Sequence, residues 1–371
     1  MKRSLLVFLS ILSVFVILAF AGCSHGGDSE TDAGLDGALD GAADGQADGG
    51  DAGGETDGQP VVFQRHPSNP FYQSSGSDWN FAGIGDPCVL YDSNSGIYKM
   101  WTSAGGVMPP ETDVIVRTQY LTSADGITWT EHGNPVLMEG DGPLDWDRGG
   151  VETVTVLEDG GQYWLWYAGY QQREEPPLSM RIGVATSPDG VNWEKAAENP
   201  VIESGSPGEW DESWVESPTV VKAGGTFYMW YTGVDSLSRY RIGLATSADG
   251  VHWSKDPGNP VFAPEASNEW ENAVVYAPAV VRDVDQFVMF YVGLNAGTFL
   301  NAMRIGIATS TDGVSWTRPQ PEPVLDIGAS GTWDEKGAFV PTVVMRADRY
   351  EMWYLSGQNP NEKIGLATCS R

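Results

Sequence analysis

Positive charge is scarce in this 371-residue chain: 21 Lys and Arg stand against 50 Asp and Glu, a formal net charge of −29. Such a surface repels polyanions, which excludes nucleic acid as a partner. Histidine is scarcer, and the four residues present, His25, His66, His132 and His252, are too scattered for metal-ligand spacing. Three cysteines make no disulfide framework. Cys88 and Cys369 fall on distant strands of the repeat described below, which argues against pairing them. There is no Gly-rich phosphate loop and no G-x-S-x-G elbow, and no residue pattern calls for a cofactor. Glycine (46) and tryptophan (15) are plentiful, and with 41% hydrophobic residues they supply many turns and a large core.

Residues 1–22 have the layout of a secretory signal: Lys2 and Arg3, an apolar run from Leu5 to Phe20, then Ala21 and Gly22. The ending Phe20-Ala21-Gly22-Cys23 resembles a bacterial lipobox, with Phe20 where Leu is usual. That resemblance implies lipidation of Cys23 and, with Ser24 following, a place on the outer membrane of a Gram-negative cell. An ordinary cleaved signal with an incidental Cys23 is the alternative. Residues 23–60 are almost entirely Asp, Gly and Ala with no aromatic residue. They cannot bury enough to offset their ordering entropy and read as an extended tether to a domain at 61–371.

That domain is a self-repeat. The segments 117–129, 181–193, 241–253 and 304–316 are variants of RIGLATSADGVHW, and KIGLATCSR (363–371) is a shortened fifth copy. Each copy reads as a strand followed by a tight Asp-Gly turn. An aromatic strand lies upstream, as in WLWYAG (164–169) and YMWYTG (228–233), and a β-branched strand further upstream, as in VTVL (154–157) and PTVV (218–221). With the strand after the turn, the expectation is an all-β fold of five four-stranded antiparallel blades, a five-bladed β-propeller. The last copy lacks its outer strand, but FQRHPSNPF (63–71) matches WEKAAENPV (193–201). The start of the domain is therefore expected to pair in the last blade and close a monomeric ring.

Features common to every unit should serve the scaffold. Trp79, Trp146, Trp210, Trp270 and Trp333 precede the inner strands, and Asp147, Asp211, Glu271 and Asp334 follow four of them. With Arg117, Arg181, Arg241, Arg304 and Lys363 they are expected to form packing and ion pairs between blades. The turns at Asp125, Asp189, Asp249 and Asp312 are similar to the Asp-box turns of sialidases, yet the clustered arginines of a sialidase site are missing.

Chemistry should sit where the repeat is broken. Six residues beyond each Trp stand Gly85, Glu152, Glu216, Tyr276 and Phe339, and Asp86 follows Gly85. Three carboxylates converging at one end of a channel raise the pKa of at least one, which then serves as a proton donor beside an ionised partner. That pairing suits glycosidic bond cleavage. Trp214, Tyr276 and Phe339 are the candidate sugar contacts.

At these residues the chain resembles the five-bladed glycosidases of glycoside hydrolase family 43 and its relatives, families 32, 62, 68 and 117. The resemblance rests on Asp86-Pro87, Glu216-Ser217-Pro218 and the Ile-Gly-Leu-Ala-Thr-Ser strand, and spans 61–371. It implies Asp86 as general base and Glu216 as general acid in an inverting reaction on a neutral glycan such as an arabinan, xylan or galactan. With Asp86 as nucleophile the reaction would be retaining. The family's third carboxylate precedes a Pro; this chain has Glu152-Thr153-Val154. Either Glu152 replaces it as modulator, or the site is altered. Such propellers admit a channel calcium, which nothing in the sequence indicates. The alternatives are a non-catalytic glycan-binding propeller and a phosphorylase like those of family 130, which needs a basic phosphate pocket.

Overall fold

A computed structural model describes residues 60–371 apart from 78, 109–112, 134, 143, 172–178, 298–301 and 358–360. The signal, Cys23 and all but the last residue of the tether therefore lie outside the described residues. Among these there is no helix; the chain is a succession of antiparallel sheets.

Two short strands come first, β1 (Gln64–Arg65) and β2 (Tyr72–Gln73). The first unit is β3 (Gly83–Asp92), β4 (Ile97–Gly106), β5 (Ile115–Ser123) and β6 (Thr130–Glu131). The second is β7 (Gly150–Asp159), β8 (Gln162–Tyr170), β9 (Met180–Ser187) and β10 (Glu194–Lys195). The third is β11 (Trp214–Ala223), β12 (Thr226–Val234), β13 (Tyr240–Ser247) and β14 (Trp253–Lys255). The fourth has β15 (Val274–Asp283), β16 (Gln286–Leu294) and β17 (Arg304–Ser310); the fifth has β18 (Phe339–Met345), β19 (Arg349–Ser356) and β20 (Lys363–Ser370).

Outer strands are shorter than the repeat suggests. They run two or three residues in units one to three, and in unit four only a Thr309–Thr317 bridge remains. Pro319 follows two residues later and has no amide hydrogen to extend the ladder. The first strand of each unit touches that of the next, in the order β3, β7, β11, β15, β18 and back to β3. On the last sheet, β1 pairs with β20 through Gln64–Thr368 and Arg65–Ala367, in the place that β10 holds on β9.

Two devices join one unit to the next. Apolar clusters fill the spaces between sheets; one gathers Cys88, Trp101 and Tyr120 with Val151, Val154 and Leu165. Above it, the indole of Trp101 donates to the Gly190 carbonyl of the next unit's Asp-Gly turn at 2.7 Å. Trp166 does the same to Gly250, Trp230 to Gly313 and Trp353 to Gly126, each at 2.9 Å. In every turn the Asp Oδ1 accepts from the amides two and three residues on at 2.7–2.9 Å, which fixes the glycine carbonyl for its indole. The fifth column member is Phe290, whose neighbouring sheet carries no such turn; Phe63 packs against it edge-on at 5.5 Å.

The expected ion pairs between blades are corrected. Asp147, Asp211, Glu271 and Asp334 pair with the outer-strand cations Lys195, Lys255, Arg318 and Arg65, at 2.5–2.6 Å, each within its own sheet. The preceding Trp causes this, because it lies flat on glycines of its own sheet. A Cβ on Gly183 or Gly243 would come within 2.7 or 2.4 Å of Trp146 or Trp210. The acid is thereby turned toward the sheet's outer edge. Arg117, Arg241 and Arg304 pair elsewhere, with Glu139, Asp235 and Asp326. Cys88 and Cys369 are both free thiols.

Candidate active site

All five inner strands break register at the same height, between Gly85 and Cys88, Glu152 and Thr155, Glu216 and Thr219, Tyr276 and Ala279, and Phe339 and Thr342. At each bulge one non-glycine residue takes the left-handed region: Asp86, Thr153, Ser217, Ala277 and Val340, with φ between 47° and 50°. That conformation costs on the order of 1–3 kcal/mol per residue and persists where surrounding structure enforces it. Here the neighbouring unit helps. Ser103 Oγ accepts from the Thr153 amide at 3.2 Å, Thr153 Oγ1 from Ser217 at 3.2 Å, and Thr232 Oγ1 from Ala277 at 3.0 Å. These five residues, with Pro87, Val154, Pro218, Pro278 and Pro341, line a cavity of about 40 Å³.

Asp86 therefore leaves the sheet register and faces this cavity at 3% exposure. Burial pushes its carboxyl up to about 6, while the Ser103 hydroxyl and the Thr153 amide pull the other way. Its Oδ1 is buried without a hydrogen-bond partner among the described residues. Glu216, 6% exposed, is pushed up to about 7 by burial; the Trp214 indole, 3.2 Å from Oε1, holds it down and the Asp86 charge adds to the rise. Glu152 is buried in the same register on β7.

Tyr276 and Phe339 lie in one apolar cluster with Tyr240, and Trp214 packs on its edge, partly exposed. Burial and then the charges of Glu216 and Asp86 keep the Tyr276 phenol protonated, and it donates to Met303 Sδ at 3.2 Å. Asp86, Glu216 and Tyr276 are thus within electrostatic reach of one another.

Two polar groups were not among the sequence candidates. Glu362, directly before β20, is pushed up to about 7 by burial first and by the Asp86 charge, and its Oε2 is buried without a partner among the described residues. The Tyr240 hydroxyl is likewise buried and unpartnered, near enough to Glu216 to feel its charge. The signal for both lay in the residue before the repeated basic position (Arg117, Arg181, Arg241, Arg304 and Lys363): Val116, Met180, Tyr240, Met303 and Glu362. Among the described residues, no group of His, Cys, Asp and Glu could hold a metal ion.

Neutral carboxyls buried this way make stability depend on pH. The folded-state values of about 6 and 7 lie above the ordinary 3.8 and 4.5, so the folded chain holds more protons than the unfolded chain between those limits. Stability is full below about pH 4 for these groups and falls as pH rises through 6 to 7. Asp86→Asn should therefore raise the melting temperature at pH 8, by relieving a cost on the order of 3 kcal/mol. At pH 4 it should leave melting unchanged; thermal denaturation at the two pH values checks this.

A family model described as the glycosyl hydrolases family 32 N-terminal domain matches residues 118–271. The chain is 28% identical over 240 residues to the uncharacterized protein Rv1502 of Mycobacterium tuberculosis, covering 63% of this chain and 75% of that protein. It is 32% identical over 126 residues to a 1,2-beta-oligomannan phosphorylase of a Thermoanaerobacter species, covering 33% of this chain and 41% of the relative. Among solved structures, a glycosyl hydrolase from Bacteroides ovatus superposes with a TM-score of 0.65 at 18% identity, over 83% of this chain and 93% of that one. The fold is that of glycoside hydrolases and related phosphorylases.

Proposed function

We propose that the chain is a glycoside hydrolase acting on a neutral glycan, with its five units as the blades of one closed five-bladed propeller. The observation that carries this is a pair of carboxyls buried in one site, Asp86 and Glu216, 3% and 6% exposed, each pushed toward its protonated form by burial, with the Asp86 charge adding to the rise at Glu216. Glu216, protonated below about 7, gives its proton to the departing glycosidic oxygen. Asp86, ionised above about 6, takes a proton from the water whose oxygen attacks the anomeric carbon. One C–O bond breaks and one forms, and the configuration inverts. Glu152, in the register of Glu216, orients the acid. Export and attachment through Cys23, with 23–60 as spacer, would bring the site to glycans outside the cell.

Phosphorolysis is the second reading, and the similarity to the oligomannan phosphorylase favours it. Electrostatics favour hydrolysis. The charge that shifts both Glu216 and Glu362 is the Asp86 carboxylate, and Arg117, Arg241 and Arg304 are already tied to acids. A phosphate dianion would enter against a negative field. A panel of arabinan, xylan, galactan and β-1,2-mannan, with and without phosphate, decides. Free sugar at an equal rate in both conditions is expected; sugar phosphate that forms only with phosphate would sink the hydrolytic reading. Saturable binding without any product would instead favour a glycan-binding propeller, the reading suggested by Thr153 where the family places an acid.

A further inference from the structure

Four units bury an apolar or aromatic side chain directly before the arginine near the start of the third strand: Val116, Met180, Tyr240 and Met303, each at most 6% exposed. The fifth places Glu362 there. The slot lies beside the site, since Tyr276 donates to Met303 in one unit and Tyr240 stacks edge-on with Trp214 and Tyr276 in another, with ring centroids 6.1 and 6.2 Å apart. Two of its five occupants therefore carry a polar oxygen, and both oxygens are buried with no hydrogen-bond partner among the described residues. One feels the charge of Glu216, the other that of Asp86. Leaving such a group unsatisfied is costly, and a strictly structural role would be served by the Met or Phe that the slot accepts elsewhere or would tolerate.

We infer that Tyr240 and Glu362 are the substrate-holding residues of this site, each exchanging a hydrogen bond with a sugar hydroxyl, on the Glu216 side and the Asp86 side respectively. This rests on the glycan-active reading above and names how the sugar is gripped. A ring seated between them has its hydroxyls on the two unpartnered oxygens and its anomeric carbon between the catalytic carboxyls. Trp214 and Glu362 are only partly buried, unlike Tyr240 and Tyr276. The backbone at Glu362 passes close to Gly357, φ 115°, where a Cβ would meet the Asn361 carbonyl oxygen at 2.6 Å.

The test is a set of single variants assayed for kcat/KM on the best glycan of the panel, for binding of its monosaccharide by calorimetry, and for melting temperature. Tyr240→Phe removes one oxygen and Glu362→Met installs the residue of units two and four. Each is expected to lower kcat/KM about 10- to 100-fold, the worth of a hydrogen bond made in the site, with melting unchanged or raised. Glu362→Gln keeps both donor and acceptor and should stay within a few-fold of the wild type. Wild-type kcat/KM in Tyr240→Phe and Glu362→Met, with Asp86→Asn inactive, would overturn this assignment and leave the hydrolase reading standing. If the wild type cleaves nothing, the hydrolase reading fails; sugar binding that both variants weaken still upholds the assignment, and sugar binding that they leave intact, or none at all, ends it.

Discussion

Asp86→Asn is expected to reduce turnover on the glycan by about 10²- to 10⁴-fold, and Glu216→Gln by a similar factor. Both replacements keep shape and remove one proton equilibrium. In the wild type, kcat/KM should rise with pH as Asp86 ionises near 6 and fall as Glu216 loses its proton near 7, giving a narrow bell between them. The limbs belong to the interacting pair, so each variant should shift the remaining limb as well as remove one. Without the Asp86 charge, Glu216 should deprotonate at lower pH. Steady-state kinetics from pH 4 to 9 check this, and a variant that keeps both limbs of the wild-type bell unshifted would remove that residue from the chemistry. Asp86→Asn is thus predicted to gain stability at pH 8 while losing activity, as expected where strain and burial are kept for function.

The second large effect concerns the junction of the two chain ends. Arg65, on β1, ties to Asp334 at 2.5 Å, and Asp334 is 1% exposed at its side chain. Arg65→Ala leaves that carboxylate buried with only the Tyr354 and Thr332 hydroxyls beside it. Because the Arg65 side chain is 31% exposed, the expected cost falls short of a fully buried pair, at about 1.5–3 kcal/mol, the worth of a hydrogen bond to a charged group. Denaturant unfolding should show this loss, and Arg65→Lys should recover most of it, since Lys195 and Lys255 do the same work in units two and three. A loss below about 1 kcal/mol in Arg65→Ala, the range of an exposed pair, would mean that β1 contributes little to the last sheet.

Much of this framework is legible in the sequence because it is said several times. The match of 63–71 to 193–201 aligns Arg65 with Lys195 and Asn69 with Asn199. In the structure both asparagines precede cis prolines and accept from a backbone amide of their own sheet, Leu366 and Val184. The pairing of the Trp-adjacent acids was present in the same columns, in Arg65, Lys195, Lys255 and Arg318, but periodicity names columns without saying which column faces which. The glycines under each Trp decide that, through close approach in three dimensions. The candidate carboxylates were legible as departures along one strand. Glu362 and Tyr240 were not, because they depart in a different strand and meet the others only once the sheets are assembled. Nor does any pattern of residue types announce a left-handed φ at Asp86, Thr153, Ser217, Ala277 and Val340, most of which disfavour it.

The cavity inside the ring of bulge residues, about 40 Å³, has room for a few waters and is too small for a sugar ring to pass. On the proposed reading, a glycan would offer an end to the site or lie across its rim, and the released sugar would leave by the way it came.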